Sequence, residues 1–457
     1  MSTVIAEQME QADCRQWLRG LPSESVHCCV TSPPYWGLRD YEVPPTAWGG
    51  QDECDHVWET RRYYTEKTAG KHSTESFCKP GPGNVRRLKA ARWREDATCS
   101  HCGAWRGCLG QEPTVEMYVE HLVEVFRELR RVLRKDGTLW LNLGDSFLDK
   151  QIAGTPWEVA FRLREDGWRL CTDIVWDKPN TRPESVNCRP TRSHEFIFLF
   201  SRSADYFYDA DAVREQAVSL GRKAPGGNYR KKGFPDGDER RRISSTLGTL
   251  AVPNPLGRNK RSVWRVATQG FPGAHFAVFP PQLIEPCILA GTPEKCCARC
   301  GAPWRKRTSL VGYCESHSGR KGADAPDAVV SPNSVFRTRM IAVHKPIGLV
   351  PTCDCFGWPS QAMLPCPECS GSGRNPKSRM TCVRCRGKGE RLQDDWDALD
   401  LSTCASEKGI VIDPFAGAGT TGLVAMQHGR RFAGCDLNAA YVAMAQARLE
   451  KARELVS

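Results

Sequence analysis

The sequence contains no long run of apolar residues. No segment of the 457-residue chain approaches the roughly 18 uncharged apolar residues that a membrane-spanning helix needs. The N-terminal residues, Met-Ser-Thr-Val-Ile-Ala-Glu-Gln, also lack the basic and then apolar stretches of an export signal. We therefore expect a cytoplasmic protein without a membrane partner.

Acidic residues are too few to balance the basic ones. Lys and Arg number 64 and Asp and Glu number 53, so the formal net charge is +11. Residues 214–261 alone hold 12 basic residues and four acidic ones. Such a surplus favours a polyanionic partner such as nucleic acid, although a solvated loop has the same composition.

Cysteine, by contrast, is abundant, with 23 residues. In a reducing compartment we expect few disulfides, and the close pairs of cysteines fit tetrahedral structural zinc sites; buried thiols without metal are the alternative. The predicted ligands form three clusters: Cys54, His56, Cys99 and Cys102; Cys297, Cys300, Cys353 and Cys355; and Cys366, Cys369, Cys382 and Cys385. Cys296 is an alternative ligand in the second cluster, and the third cluster resembles the zinc knuckles of DnaJ-type chaperones.

Strand and helix patterns alternate outside the cysteine-rich stretches. Val26–Val30 is predicted to be a short buried strand, and residues 115–134 have apolar positions at helical spacing. Alternation of this kind predicts an α/β fold with a mostly parallel sheet covered on both faces. Further strands are predicted at 138–143, 171–176, 194–200, 410–412 and 431–435, and further helices at 157–165, 420–428 and 439–453.

A glycine-rich loop follows one of these strands. Residues 413–421 read Asp-Pro-Phe-Ala-Gly-Ala-Gly-Thr-Thr, and glycine lets backbone approach a ligand while the next helix offers free N–H groups. Asp436 ends the next strand 19 residues after Gly417, where nucleotide-binding folds place a carboxylate for the ribose. A turn without ligand is the alternative, and the spacing of Gly417, Gly419 and Gly422 also fits a dinucleotide.

A second polar motif follows the strand at Val26–Val30. Residues 31–36 read Thr-Ser-Pro-Pro-Tyr-Trp, and the Ser32 hydroxyl and the Pro33 carbonyl can accept hydrogen bonds on a backbone that two prolines stiffen. Such acceptors would draw a conjugated amino group toward tetrahedral geometry and stabilise the positive charge that grows as it attacks a methyl donor. Tyr35 offers a flat face for a base. A proline turn that only ends the strand is the alternative.

Together, and in this order, the two motifs resemble those of the amino-methyltransferases of DNA, in the permuted arrangement whose catalytic motif precedes the cofactor loop. Residues 136–146 and 271–280 extend the resemblance. It implies a Rossmann-like, seven-stranded methyltransferase sheet, circularly permuted, to which the zinc-binding and basic insertions are added. It also implies S-adenosylmethionine as cofactor and double-stranded DNA as substrate, and the cysteine clusters predict up to three structural Zn²⁺ ions in addition.

The resemblance further implies particular site residues. The catalytic residues would be Ser32, Pro33, Pro34 and Tyr35. Asp13 would lie near the adenine of the cofactor and Asp436 at its ribose, although a surface cap is the alternative for Asp13. The other cofactor-binding residues would be Phe276, Asp413, Pro414, Phe415, Gly417, Gly419, Thr420, Thr421 and Asn438.

The order of motifs divides the chain into a core and three insertions. The insertions are 50–112 and 295–405, which carry the cysteine clusters, and the basic loop 210–262, where we expect target recognition. The core segments are 1–49, 113–209, 263–294 and 406–457. Residues 1–49 include the polar motif at 31–36, here called the clamp. Residues 263–294 would close the cofactor pocket, and residues 406–457 include the glycine-rich cofactor loop at 413–421.

The first residue of the clamp motif carries information about the substrate. In this family Ser-Pro-Pro-Tyr goes mostly with cytosine, and Asp- or Asn-Pro-Pro-Tyr with adenine. The resemblance thus implies a bacterial or phage enzyme, associated with the nucleoid, that flips a cytosine and methylates its N4 amino group. A restriction endonuclease is a candidate partner. The alternatives are the same chemistry on adenine or on RNA, and a zinc-dependent nucleic-acid-binding protein with an inactive core.

Overall fold

The protein is described here from a computed structural model. The predicted insertion 295–405 falls within the smaller of two compact units, Pro293–Gly409, and the other described residues belong to the larger unit. The described residues are 5, 7–38, 41, 43–51, 53–65, 92–148, 150–216, 258–270, 278–316, 339–353, 355, 363–365, 390–392 and 404–456.

One eight-stranded sheet forms the framework of the larger unit. In spatial order its strands are β1 (Met9–Gln11), β20 (Arg431–Asp436), β19 (Ile410–Asp413), β2 (Val26–Thr31), β7 (Leu133–Leu143), β11 (His194–Ser201), β10 (Arg169–Asp177) and β12 (Val263–Arg265). Only β11 is antiparallel to its neighbours within this sheet. The mostly parallel α/β sheet is confirmed, but it has eight strands and not seven, because the three-residue strands β1 and β12 extend the six strands located from sequence at both edges.

Helices pack on both faces of this sheet. Because successive residues of a strand point to opposite faces, Cys29 lies in one hydrophobic core and Cys28 and Val30 lie in the other. Burial from both sides explains why every residue of β2 is buried. The first face carries α1 (Cys14–Gly20), α2 (Val115–Val132) and α3 (Thr155–Glu165), and the second carries α4 (Pro281–Gly291), α5 (Thr420–Gln427) and α6 (Ala439–Val456).

Helix α2 shows how closely a periodic pattern locates an element. Thr114 caps its N-terminus by accepting a hydrogen bond from the amide of Met117 at 3.2 Å. The predicted helical pattern 115–134 extends two residues too far, because α2 ends at Val132 and Leu133 already belongs to β7.

The two sequence motifs meet at the centre of the sheet. Strands β19 and β2 are adjacent and parallel, with Val411 opposite Cys28. From β2 the sheet continues to β7, and from β19 it continues to β20 in the other direction. Ligands of open α/β sheets bind at such a switch point, outside the carboxyl ends of the strands.

Outside the eight-stranded sheet, the described residues form further strands that the sequence pattern did not predict. The larger unit adds a four-stranded sheet of β3 (Thr46–Trp48), β6 (Trp105–Gly107), β5 (Arg92–Cys99) and β4 (Trp58–Thr65), and the pair β8 (Phe147–Leu148) and β9 (Gln151–Ile152). The smaller unit pairs β13 (Cys296–Cys297) with β18 (Ser406–Glu407), β14 (Arg305–Ser316) with β15 (Arg339–Val350), and β16 (Met363–Pro365) with β17 (Glu390–Leu392). Within the ranges described above, none of the helices has the length and apolar character to span a bilayer.

Candidate active site and metal-binding clusters

A cavity of about 150 Å³ opens at the carboxyl ends of β2 and β19. Residues of both motifs line it, together with the predicted acidic residues at the ends of the neighbouring strands. Phe276 lies outside the described residues. The predicted site residues that line the cavity are Asp13, Ser32, Pro34, Pro414, Phe415, Gly417, Thr420 and Asp436.

The glycines of the cofactor loop have different surroundings. Gly417 has a φ of +49°, and a Cβ at this position would meet no atom within 4 Å, so a ligand can approach its backbone. Gly419 has a φ of +72°, but its Cβ would lie 2.8 Å from the Cβ of Ala445. Gly419 therefore permits close packing of α5 against α6, and it does not line the cavity.

Asp436 lies at the end of β20 and closes the loop. Its carboxylate accepts hydrogen bonds from the amide of Gly417 at 3.0 Å and from the amide of Asn438 at 2.8 Å. Burial raises the pKa of Asp436, although these backbone donors act in the opposite direction. Each oxygen retains a further lone pair, so the carboxylate can still accept from a ligand hydroxyl.

Asp413 joins the two motifs from behind the cavity. Its carboxylate is 2.6 Å from the Thr31 hydroxyl, 2.7 Å from the Thr421 hydroxyl and 3.0 Å from the amide of Phe415. Only 1% of Asp413 is exposed, and this burial raises its pKa to about 6. The carboxylate thus fixes the strand of the clamp to the cofactor loop across 382 residues of sequence.

Replacing Thr31 by valine should destabilise the protein in a pH-dependent manner. At pH 7.5 the folded protein holds Asp413 ionised, and losing one donor to a buried carboxylate costs about 1 to 3 kcal/mol. The Thr31 hydroxyl lowers the pKa of Asp413, so the cost should shrink as the pH falls through about 6 and the carboxyl takes up a proton. Urea unfolding at several pH values measures this difference. Thr172→Val, at an exposed site, is the control, and a pH-independent cost would contradict the assignment.

Asp13 serves a helix as well as the cavity. It caps α1 by accepting from the amide of Arg15 at 2.9 Å, and it forms an ion pair with the Arg15 guanidinium at 2.9 Å. Burial raises the pKa of Asp13, but the hydrogen bonds and charge of Arg15 outweigh it and leave the pKa below its usual value. The cap that the sequence left as an alternative is therefore present, but Asp13 is largely buried beside the cavity and not at the surface.

The clamp hydroxyls lie in a hydrogen-bond network that the sequence did not reveal. The Ser32 Oγ is 3.1 Å from the Tyr35 hydroxyl, which lies 2.9 Å from Glu195 Oε2 and 3.1 Å from Asn142 Oδ1. Lys178 forms an ion pair with the other oxygen of Glu195. The sequence offered one signal for this network: Asn142 and Glu195 are polar residues within the predicted apolar strands 138–143 and 194–200.

The clamp backbone is braced by residues 108–112 and by α2. The Tyr118 hydroxyl donates to the carbonyl of Pro34 at 2.8 Å, and the amide of Gly37 donates to the carbonyl of Gly110 at 2.8 Å. The Tyr35 ring packs against Gly144, where an added Cβ would lie 2.6 Å from the ring. These contacts hold the clamp in one position at the edge of the cavity.

The first predicted metal cluster assembles in the four-stranded sheet. The ligand atoms of Cys54, His56, Cys99 and Cys102 all lie within 4.8 Å of one another. The Cys54 and Cys99 sulfurs are 3.8 Å apart, and the Cys102 sulfur is 3.4 Å from His56 Nδ1. Tetrahedral zinc with bonds of about 2.3 Å to sulfur and 2.0 to 2.1 Å to nitrogen requires edges of about 3.8 and 3.5 Å. The four side chains therefore fit zinc.

The second cluster repeats the same turn in the smaller unit. Its ligand atoms, from Cys297, Cys300, Cys353 and Cys355, also lie within 4.8 Å of one another. The amide of Gly301 donates to the carbonyl of Cys297, as that of Gly103 donates to Cys99, and both glycines have positive φ. In each case the cysteine amide also donates to an alanine carbonyl five residues on. The sequences Cys-x-x-Cys-Gly-Ala at 99–104 and 297–302 carry this repeat, which our sequence reasoning missed.

Other predicted site residues are not described. The third cluster, with Cys366, Cys369, Cys382 and Cys385, lies outside the described residues, and so do residues 217–257 of the basic loop.

A glycine loop, two carboxylates and a clamp around one cavity at the switch point of a parallel sheet define an α/β protein with a nucleotide-type ligand site. Residues 26–296 and 400–447 match the DNA methylase family, and the chain belongs to that family.

Individual relatives agree with this assignment. The Type II methyltransferase M.Cfr9I of Citrobacter freundii is 34% identical over 311 residues, which cover 62% of this chain and 71% of the relative. M.SmaI of Serratia marcescens, also named a Type II methyltransferase, is 32% identical over 309 residues, covering 61% and 73%. Among solved structures, the cytosine-N4-specific PvuII DNA methyltransferase aligns with a TM-score of 0.43 and 13% identity, covering 98% of this chain and 90% of its own.

Proposed function

We propose that the protein transfers a methyl group from S-adenosylmethionine to the exocyclic N4 amino group of a cytosine in double-stranded DNA. The observation that supports transfer most directly is that the cofactor loop at Gly417 and the clamp at Ser32 line the same cavity. Similarity to enzymes named Type II methyltransferases supports a Type II enzyme, with a restriction endonuclease as a candidate partner. Such an enzyme would act on DNA in the cytoplasm.

The cavity residues fit the chemistry of this cofactor. The backbone at Gly417 is open to a ligand, the Asp436 carboxylate can accept from ribose hydroxyls, and Asp13 can accept from an adenine amino group. When bound, S-adenosylmethionine supplies a methyl group on a positively charged sulfur. Pro414 and Phe415 offer apolar surface beside it.

The clamp residues would act on the amino group that receives the methyl. Ser32 Oγ and the carbonyl of Pro33 are the proposed acceptors, since the carbonyl of Pro34 already accepts from Tyr118. Positive charge would grow on the substrate nitrogen as it takes up the methyl group, and these two acceptors would stabilise that charge. The methylated nitrogen would then release one proton to solvent and become a neutral amine.

The choice of cytosine depends on the serine at position 32. A cytosine must leave the duplex to reach this cavity, and the proposed platform for it is Tyr35. Adenine methylation at N6 is the second candidate, because the same acceptors serve either amino group.

We also propose that both described clusters hold structural zinc. Each offers four ligands and leaves no position for a reacting water, so the metal would stabilise insertions that have little apolar core of their own. In the first cluster the ligand separations given above match a tetrahedral site. In the second, the amide of Arg299 lies 3.4 Å from the Cys297 sulfur, as a donor to a metal-bound thiolate would.

Purified protein should contain at least two zinc ions per chain, and three if the Cys366 cluster also binds metal. Cys99→Ser and Cys297→Ser should each lower the zinc content by one ion, because serine is a poor zinc ligand. Elemental analysis after gel filtration measures the content, and Cys188→Ser, at an exposed thiol outside the clusters, is the control. Zinc content unchanged in both cluster variants would contradict the proposed sites.

One assay tests the proposed function. The protein is incubated with methyl-labelled S-adenosylmethionine and, in parallel reactions, mixed-sequence duplex DNA or structured RNA, and each nucleic acid is digested to nucleosides for mass spectrometry. Label on N4 of cytosine is the expected result, and label on N6 of adenine would overturn the choice of base. Label in RNA alone, or no transfer by folded protein that contains zinc, would overturn DNA methylation.

A further inference from the structure

The Tyr35 hydroxyl has more neighbours than it has hydrogens. It lies within hydrogen-bond distance of Ser32 Oγ, Glu195 Oε2 and Asn142 Oδ1. A tyrosine hydroxyl carries one hydrogen and can also accept. The direction of each hydrogen bond therefore depends on what the neighbours can donate.

Two of the three neighbours can only accept. Glu195 is a carboxylate in an ion pair with Lys178, so it has no hydrogen to give. The amide nitrogen of Asn142 lies 3.0 Å from the carbonyl of Phe196 and 3.3 Å from Glu195 Oε2, so its oxygen faces Tyr35. The single hydrogen of Tyr35 must therefore point toward Glu195 and Asn142.

The remaining hydrogen bond then has one direction. With its hydrogen directed to the acceptors, Tyr35 can only accept from Ser32, at 3.1 Å. The Ser32 hydrogen is thereby held away from the substrate side. Because Ser32 uses its hydrogen in this bond, both lone pairs of its Oγ are left to accept from an amino group.

We propose that Glu195, held by Lys178, is a positioning residue that acts through Tyr35 to keep Ser32 a hydrogen-bond acceptor. This inference rests on the proposed function, because it assigns a role to the same clamp. A free serine hydroxyl rotates and can donate as well as accept, and a donated hydrogen would face the hydrogens of the substrate amine. The chain of hydrogen bonds removes that competing state.

A double-mutant cycle tests the path through Tyr35. Tyr35→Phe keeps the ring and removes the hydroxyl, and Glu195→Gln replaces the carboxylate with a group that accepts more weakly or offers Tyr35 a competing N–H. Each single variant should lower kcat about tenfold, since a neutral hydrogen bond is worth on the order of one power of ten in rate. The double variant should be no slower than the slower single variant, because both changes break one chain.

The controls separate positioning from folding and from binding. The Kd of S-adenosylmethionine should stay unchanged in all three variants, since none of the changed groups lines the cavity at the cofactor loop. Glu128→Gln is the matched control: Glu128 is also half-buried and ion-paired, with Arg131, and lies about 15 Å along α2 from Tyr118. Its kcat should equal that of the unchanged protein.

The outcomes are distinct. Effects of Tyr35→Phe and Glu195→Gln that multiply would overturn the proposal, because Glu195 would then act independently of Tyr35. If Glu195→Gln fails to fold, Tyr35→Phe alone decides, and an unchanged kcat in that variant overturns the proposal. Failure of the unchanged protein to methylate any nucleic acid would instead overturn the proposed function.

Discussion

The Ser32→Ala protein is expected to bind S-adenosylmethionine normally and to methylate DNA about a hundredfold to a thousandfold more slowly. Removing one polar group that faces charge developing in a transition state has this cost in other enzymes. Ser32 lines the cavity, but the groups proposed for the cofactor belong to the opposite loop, at Gly417 and Asp436. The loss should therefore appear in kcat and not in the Kd of the cofactor.

Single-turnover rates with labelled donor and an equilibrium titration of the cofactor measure the two quantities. Ser25→Ala is a matched control, because Ser25 precedes the same strand, is half-buried and donates to the carbonyl of Pro22 at 2.6 Å. That variant should turn over normally. A normal kcat in Ser32→Ala would show that Ser32 does not act in the clamp. A loss of affinity for S-adenosylmethionine as large as the loss in rate would show that Ser32 binds the cofactor instead.

The elements that local patterns specify were predictable from sequence. Strands β2 and β19 are continuous apolar runs because both of their faces are buried, and each is followed by residues whose chemistry suits a ligand. The members of the two described cysteine clusters could be grouped from sequence, because Cys-x-x-Cys spacing is itself geometric information. The edge strands β1 and β12 were not predictable, since three residues are too few to show a period.

The network behind the clamp depends on tertiary register, which no local pattern contains. Asn142 lies opposite Ile197 in the β7–β11 pair, and that register brings its amide to Glu195. The same holds for Thr31 and Asp413, which touch only because β2 and β19 are neighbours. The sequence identifies these residues as unusual polar side chains in apolar strands. Only the tertiary structure shows which of them form hydrogen bonds with each other.

Loss of the first proposed zinc site is the other change with a large expected effect, because contacts connect the Cys54–Cys102 cluster to the clamp. Strand β6 follows the Cys102 turn directly, and the ring of its Trp105 stacks on His121 with centroids 5.5 Å apart. His121 Nδ1 lies 3.0 Å from the carboxylate of Glu112, whose side chain is fully buried. The carbonyl of Glu112 accepts from Trp36 Nε1 at 3.0 Å, next to Tyr35.

Cys99→Ser should therefore lower kcat/KM about a hundredfold or more. Structural zinc supplies roughly 10 to 16 kcal/mol to the folding of small domains, so its loss should loosen the four-stranded sheet that carries Cys99. Without the metal, residues 104–112 would lose their fixed position, and a displacement of about 1 Å in reacting groups costs about a hundredfold in rate. Zinc content and initial methylation rates, measured on the same samples, check this.

The control must remove a thiol without removing metal. Cys171→Ser meets this condition, because Cys171 lies on β10 outside both clusters and its sulfur contacts the Ser201 hydroxyl at 3.3 Å, a contact that serine can reproduce. It should retain normal activity. A Cys99→Ser protein that lacks one zinc ion yet keeps normal kcat/KM would show that Tyr118 and Gly144 alone suffice to hold the clamp. If zinc content and activity fall together in Cys99→Ser and both stay normal in the control, the metal is needed to hold the clamp in its active position.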